Sequence, residues 1–159
     1  MPSQFSIRKF QSADAAEVAA LVRKTLVISN VPDYTLESME ELAAIHTPEY
    51  IESRSAWMHF HVVCEGEKIV GCGAVGPHGD STEESELYTV FVLPEYQGKG
   101  LGKLILDALE QDEYFLRAKR IVICASITAR DFYMEYGYQY APGGDILDED
   151  DLYTLEKIR

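Results

Sequence analysis

Val90-Phe91-Val92-Leu93-Pro94-Glu95-Tyr96-Gln97-Gly98-Lys99-Gly100-Leu101-Gly102 carries a strand into a helix through a turn dense in glycine. The apolar run to Leu93 reads as a strand and stops at Pro94. From Leu101 the apolar residues recur at helical spacing, which predicts a long amphipathic helix over residues 101–116. A helix N-terminus leaves its first backbone N–H groups unpaired and carries about +0.5 of an elementary charge. Alternating glycines let that backbone approach an anion with no Cβ atoms in the way. Lys99 and Lys103 add positive charge beside the turn. Physics alone reads the segment as a cradle for phosphate or diphosphate. The plainer alternative is a tight strand-to-helix turn that uses glycine for its geometry.

Two other phosphate motifs fail by position. A P-loop ending at Gly102-Lys103 would need glycine where Gln97 stands and Ser or Thr where Leu104 stands. A dinucleotide fingerprint beginning at Gly98 would need glycine where Lys103 stands. Gly71-Cys72-Gly73-Ala74-Val75-Gly76 does match that spacing, but it lies inside a predicted strand and no helix follows Pro77. It reads as a strand that uses small residues for close packing.

Outward from the turn, alternation and capping signals lay out the rest. Residues 5–10 alternate as a strand; Ser12 offers an N-cap, with Asp14 near the helix start, and Ala15, Val18, Ala19, Leu21, Val22 and Leu26 mark an apolar helical face. Pro32 and Asp33 break that helix, and residues 36–45 form a second, acidic one. Residues 57–64 and 68–75 are strands joined at Glu65-Gly66-Glu67, and residues 86–93 are another strand. Residues 120–125 form a short apolar strand, residues 129–136 a helix stopped by Gly137 at C′, and residues 152–158 a closing strand. Three strands in sequence followed by a strand–helix–strand unit imply a mixed α/β sheet with helices against its faces. The acidic run at residues 145–151 reads as a solvated loop.

Composition bounds the function. A chain of 159 residues, 47% apolar and 26% charged, suits one domain with a single core. No stretch approaches the ~20 apolar residues of a membrane span, and residues 1–10 lack the apolar run of a signal peptide, so a cytoplasmic location is expected. A net charge of −13 argues against binding nucleic acid or anionic membrane, and favours cations, protonated amines included. Cys64, Cys72 and Cys124 are scattered in apolar runs and read as reduced thiols. His59 and His61 share a strand face without an evident third ligand and read as half-buried packing. No Ser-His-Asp arrangement with a nucleophile elbow is present.

Three blocks, in order and suitably spaced, resemble the GNAT superfamily of acyl-CoA N-acyltransferases. Gln97-Gly98-Lys99-Gly100-Leu101-Gly102 fits that family's Q/R-x-x-G-x-G/A turn. Glu86-Leu87-Tyr88-Thr89-Val90-Phe91-Val92-Leu93-Pro94-Glu95-Tyr96 is similar to its preceding strand, and Ala129-Arg130-Asp131-Phe132-Tyr133-Met134-Glu135-Tyr136-Gly137-Tyr138 to its helix ending FYxxxGF. The strand order agrees from Phe5 to Ile158. The resemblance implies one domain over residues 1–159: a mixed central sheet of about six to seven strands flanked by about four helices, with two strands splayed to hold the cofactor. It implies acetyl-coenzyme A as co-substrate, no metal, and direct acetyl transfer to an amine in a ternary complex.

The same resemblance assigns roles. The bulged strand offers main-chain groups of Val90, Phe91 and Val92 to the pantetheine arm. The diphosphate sits on N–H groups among Gln97, Gly98, Lys99, Gly100, Leu101, Gly102 and Lys103. Tyr133 takes the position of a tyrosine that protonates or contacts the thioester sulfur; a phenol with a pKa of roughly 10 is a donor at neutral pH. Ser126 stands where many members have an asparagine that binds pantetheine, with shorter reach. An alkyl ammonium must lose a proton before attack. Glu86 is the candidate base, placed by alternation on one face with Tyr88, Val90 and Val92, with Glu83 and Glu84 as alternatives. The amine is expected between the first helices and the sheet edge, near Asp33, Tyr34, Glu37, Glu40 and Glu41, an acidic and aromatic region suited to a small cationic substrate. A protein lysine or N-terminus stays open as acceptor. Edge strands of such folds often pair between subunits, which makes a homodimer an expectation. The competing class is an acyl-CoA-binding sensor or regulatory module without catalysis; a third is an unrelated nucleotide binder using the same turn.

Overall fold

In the computed structural model, which describes residues 4–159, alternation becomes seven strands. They are β1 (Phe5–Lys9), β2 (His59–Glu65), β3 (Lys68–Pro77), β4 (Glu84–Val92), β5 (Arg120–Ser126), β6 (Gln139–Tyr140) and β7 (Leu152–Ile158), in one sheet ordered β1-β2-β3-β4-β5-β7-β6. Every pairing is antiparallel except β4 with β5. Met1, Pro2 and Ser3, the start of the stretch read for a leader, lie outside the described residues. Among the described residues no helix is long and apolar enough to cross a membrane.

Six α-helices are present among the described residues, against about four expected: α1 (Ala15–Ser29), α2 (Leu36–Ile45), α3 (Pro48–Ser55), α4 (Leu101–Leu109), α5 (Glu113–Arg117) and α6 (Arg130–Glu135). Two corrections account for the difference. The helix expected over residues 101–116 is broken at Asp112, whose carboxylate accepts from the Tyr114 amide at 2.9 Å and from His59 Nδ1 at 2.9 Å. Those bonds hold Asp112 in extended backbone as the cap of α5, an arrangement a helix interior forbids. Helix α3, absent from the sequence reading, is short and weakly amphipathic. Thr47 caps it by accepting from the Tyr50 amide at 3.1 Å, and Pro48 opens it with a φ already suited to helix. At the first helix Ser12 opens a 3-10 turn instead of capping; Asp14 accepts from the Gln11 amide at 2.8 Å and Arg8 at 2.8 Å. Gly137 stops α6 as expected, at φ +107°, with Tyr138 N–H bonded to Tyr133 O and Gly137 N–H to Met134 O.

The small residues of β3 serve packing. A Cβ on Gly73 would lie 2.5 Å from Ile105 Cγ2, and one on Gly71 3.3 Å from Ile105 Cδ1, so α4 lies almost on the strand backbone. Ile105 and Leu109 are fully buried there. Helix α1 packs on β3 and β4, and α2 and α3 pack on α1. The run at residues 145–151 is mostly exposed, as a like-charged loop should be.

Candidate active site

The parallel pair β4–β5 comes apart halfway. Pairing runs only from Glu84–Arg120 to Leu87–Ile123; beyond that β5 bonds β7 alone. On its other side β4 slips by one residue against β3: Cys72 faces Phe91 and Ala74 faces Tyr88, leaving three steps against two. The extra residue is a bulge at Thr89, a β-branched residue at φ +53°, where such a side chain is strained. Cys72 Sγ donates to its carbonyl at 3.3 Å. The bulge corrects the face assignment made by alternation. Glu86 and Tyr88 stay on the Ala74 face, while Val90 turns to the α4 side, where a Cβ on Gly73 would meet its Cγ2 at 3.5 Å. The β5 side of β4 past Leu87 is left without a strand partner.

At the end of β4 the chain makes a 3-10 turn (Pro94–Tyr96) and enters the glycines. Gly98 (φ +78°) and Gly100 (φ +82°) take left-handed backbone, Gly100 as the cap of α4. The first amide of the segment with a backbone partner is Leu104, which donates to Gly100 O at 3.1 Å. The amides of Gly98, Lys99, Gly100, Leu101, Gly102 and Lys103 donate to no described group. A Cβ at Gly98 or Gly100 would meet nothing within 4 Å. Six donors without a partner, in a turn open at Gly98 and Gly100, form a candidate anion cradle. Gln97 braces it, donating from Nε2 to Ser29 Oγ at 2.9 Å and to Val92 O at 3.1 Å. The missing side chain of Gly102 serves packing, since a Cβ there would lie 2.8 Å from Phe132 Cζ. Lys99 is exposed, and Lys103 shares its charge with Asp107 at 3.1 Å.

From this cradle a cleft of about 690 Å³ runs along the gap between β4 and β5 and under α1, α2 and α3. Of the residues singled out in the sequence it gathers Glu86, Val90, Phe91, Val92, Gln97, Gly98, Gly100, Leu101, Gly102, Lys103, Ser126, Tyr133 and Tyr34. Ser126 Oγ accepts from the Ala129 amide at 3.1 Å, turning the chain into α6. Tyr133 is buried and its hydroxyl bonds no described group; burial, then the nearby Cys72, raises its pKa far above the usual phenol value and keeps it a donor. Glu86, only 13% exposed at its side chain, accepts from His78 Nδ1 at 2.8 Å. Tyr88, its neighbour on the same face, donates to Pro77 O at 2.9 Å; burial first, and then Glu86, raise its pKa as well.

Several acidic candidates lie elsewhere. Asp33 accepts from Thr128 Oγ1 at 2.7 Å, and Glu37, Glu40 and Glu41 are exposed; none of the four lines the cleft. Tyr34 does, accepting from the Ile127 amide at 2.9 Å and donating to Asp151 O at 2.7 Å. Glu83 pairs with Lys119 and Glu84 with Arg120, which leaves Glu86 as the candidate carboxylate facing the gap. His59 is held by Asp112 outside the cleft. Sequence reasoning missed His78, Arg54 and Asp150: the first lies behind Glu86, and the other two line the cleft. Cys124 lines it too; partial desolvation of its side chain, and then Glu86, push its thiol up to about 11, so the thiol form prevails at neutral pH.

A mixed sheet whose one parallel pair splits beside a turn of free amides is the arrangement that the resemblance to acyl-coenzyme A N-acyltransferases implies. A family model described as acetyltransferase (GNAT) domain matches residues 30–148. The chain belongs to the GNAT acetyltransferase family, whose acyl donor is acetyl-coenzyme A. Among solved structures it is similar to the PaiA N-acetyltransferase from Thermoplasma acidophilum in complex with coenzyme A, at TM-score 0.80 and 17% identity over 98% of this chain and 99% of that one. A GCN5-related N-acetyltransferase from Rhodopseudomonas palustris matches at TM-score 0.77 and 21% identity, over 100% and 98%. N-acetylglutamate synthase from Neisseria gonorrhoeae, complexed with coenzyme A and N-acetyl-glutamate, matches at TM-score 0.75 and 18% identity, over 99% of this chain and 36% of the synthase. At these identities the likeness is one of fold. A search of curated proteins finds no match for the chain.

Proposed function

We propose that the chain is an N-acetyltransferase that takes acetyl from acetyl-coenzyme A and delivers it to the primary amine of a small substrate. The observation that carries this reading is the run of six unpaired amides at residues 98–103, opening onto the cleft where β4 and β5 part. The donor set fits the group: a diphosphate is a multiply charged anion, and the cradle offers donors, a helix N-terminus and room at Gly98 and Gly100. Coenzyme A in the Thermoplasma and Neisseria structures supports it.

When bound, acetyl-coenzyme A supplies the acetyl group: the amine nitrogen bonds to the thioester carbonyl carbon, the carbon–sulfur bond breaks, and the sulfur leaves as a thiol. The residues of this chain manage the protons. Glu86, oriented by His78, takes the proton that the ammonium must lose, directly or through water. Tyr133, kept as a phenol by burial, donates toward the departing sulfur. The backbone of Val90, Phe91 and Val92, without a strand partner on its β5 side, offers an edge for the pantetheine amides, with the Val92 carbonyl already held by Gln97. We read the attack as direct, in a ternary complex of chain, acetyl-coenzyme A and amine.

Calorimetric titration with coenzyme A, paired with a thiol-release assay over a panel of primary amines, tests the reading. Saturable binding with amine-dependent thiol release is expected. A folded chain that takes up no coenzyme A would overturn the whole reading; binding without turnover on any amine would overturn the catalytic part and leave an acyl-CoA-binding module.

A further inference from the structure

Arg54 stands out on charge. It lies in the last turn of α3, it is half-buried, and it lines the cleft. Its guanidinium carbon lies 5.2 Å from the ring centre of Tyr50, 5.0 Å from Trp57 and 5.4 Å from Tyr88. The three rings supply a cation–π box that holds the planar group in place. Yet the Arg54 guanidinium forms no hydrogen bond or ion pair with any described residue, and its Nε is buried without a partner. Elsewhere half-buried cations are matched: Arg120 bonds Glu84 and Glu156, Arg130 bonds Asp131, and Lys157 bonds Glu110. In a chain with net charge −13 a carboxylate partner is easily supplied, so a half-buried guanidinium with a buried, unpaired Nε is specific to its place.

Resting on the acetyltransferase reading above, we propose that Arg54 is the carboxylate anchor of the acceptor, and that the acceptor is an amino acid. Tyr88 ties the two ends of such a molecule together. Its ring lies against Arg54, and two residues earlier on the same strand face stands Glu86, the candidate base. Two strand residues span about 7 Å. An α-amino acid with one hydrogen bond at its carboxylate and one at its ammonium bridges a gap of that order. The charges sort in the same way. A diamine would bring a second cation up to Arg54. A phosphate dianion would meet Glu86 and Asp150, both on the cleft wall. A molecule with one negative and one positive end satisfies Arg54 and Glu86 together. Met39, Leu42 and Leu152 add apolar wall, which suits an uncharged side chain.

The test uses the full chain, with and without saturating coenzyme A, titrated calorimetrically with L-leucine, L-methionine and L-phenylalanine. Each is compared with its amide, with isoamylamine and with 1,4-diaminobutane, and acetylation rates are measured on the same compounds. The free acids are expected to bind and react about ten- to a hundredfold better than their amides, the range of a charge-assisted bidentate contact. Arg54→Gln should erase that preference while leaving coenzyme A affinity unchanged. Arg54→Lys, which keeps the charge but loses the fork, should retain a fraction of it. Amides or the diamine performing as well as the acids, a preference that survives Arg54→Gln in a variant with an unaltered melting curve, or no amino-acid binding at all would each overturn the proposal. Failure of coenzyme A itself to bind strikes the acetyltransferase reading instead, and Arg54-dependent amino-acid binding to the chain alone then still decides this one.

Discussion

Replacing Tyr133 with Phe removes one oxygen and little else. The side chain is only 6% exposed, and its ring packs against Phe132 at 5.3 Å and Tyr138 at 6.1 Å between centroids, contacts that Phe retains. The hydroxyl bonds no described group, so the change breaks no hydrogen bond of the resting protein. The stability cost is therefore expected within about 1 kcal/mol, a melting shift of no more than about 4 °C for a chain of this size. Turnover is another matter. General acids contribute about 10²–10⁴-fold. A thiolate is a tolerable leaving group, which places this acid at or below the bottom of that range. A fall in kcat of about ten- to a hundredfold, or ~1.4–2.7 kcal/mol of barrier, is expected, with coenzyme A affinity unchanged within about threefold. Thiol release gives kcat, calorimetry the affinity and a melting curve the fold. Burial, with Cys72 beside it, raises the Tyr133 pKa, so the group stays protonated through any ordinary assay pH. Any alkaline limb of the rate profile must therefore survive in the variant. An unchanged kcat refutes the acid role, and a parallel loss of coenzyme A affinity reassigns Tyr133 to binding.

Glu86→Gln keeps the shape and removes the proton acceptor; kcat/KM is expected to fall about a hundredfold or more with coenzyme A binding intact, and an unaltered rate assigns the base elsewhere. Gly73→Ala sets a Cβ 2.5 Å from Ile105 Cγ2, a buried β-branched neighbour with little room to turn. The expected loss is about 1–3 kcal/mol by urea unfolding, and an unchanged midpoint shows α4 to be more yielding than its packing implies. The Arg8 guanidinium, then the Gln11 amide, hold Asp14 below the usual carboxylate range against the opposing effect of burial. Because the folded-state pKa is the lower one, this stability is present above the ordinary carboxylate pKa, about 3.9, and is lost as pH falls through the lowered value. Wild-type urea midpoints should therefore fall more steeply on acidification than those of Asp14→Asn, and parallel slopes would rule out the linkage.

What could be read from the sequence was decided locally. The cradle depends on Gly98, Gly100 and the N–H groups between them, all within one turn, and strand periodicity needs only neighbouring residues. The bulge at Thr89 is different: nothing in the order Tyr88-Thr89-Val90 departs from alternation, and the extra step exists only against Cys72 and Ala74 of the adjacent strand. The break at Asp112 depends on His59, fifty-three positions away, and Asp33 is claimed by Thr128, ninety-five positions away. Arg54 was hidden for the same reason. Its helix has too few apolar residues to announce a face, and two of the three rings around it lie on or close to that helix while the third, Tyr88, is on β4. Carboxylates invite attention in a sequence whenever they cluster, whereas a half-buried cation without a partner stands out only once the partners of Arg120, Arg130 and Lys157 are seen in the fold.

The net charge of −13 then ceases to conflict with a polyanionic co-substrate. Surface carboxylates act through water and are screened beyond about 8–10 Å at ordinary salt. The cradle acts at contact, through backbone N–H groups that carry no titratable proton and offer nothing for a carboxylate to neutralise by pairing. Arg54 follows the same rule elsewhere on the cleft wall, its guanidinium packed among three rings. Glu86, the proposed base, lines the same cleft, two residues from Tyr88 on β4. Under the proposed reading the cradle holds a diphosphate by contact, Glu86 an ammonium and Arg54 a carboxylate, so local groups in the cleft, and not the net charge of the surface, decide what binds there.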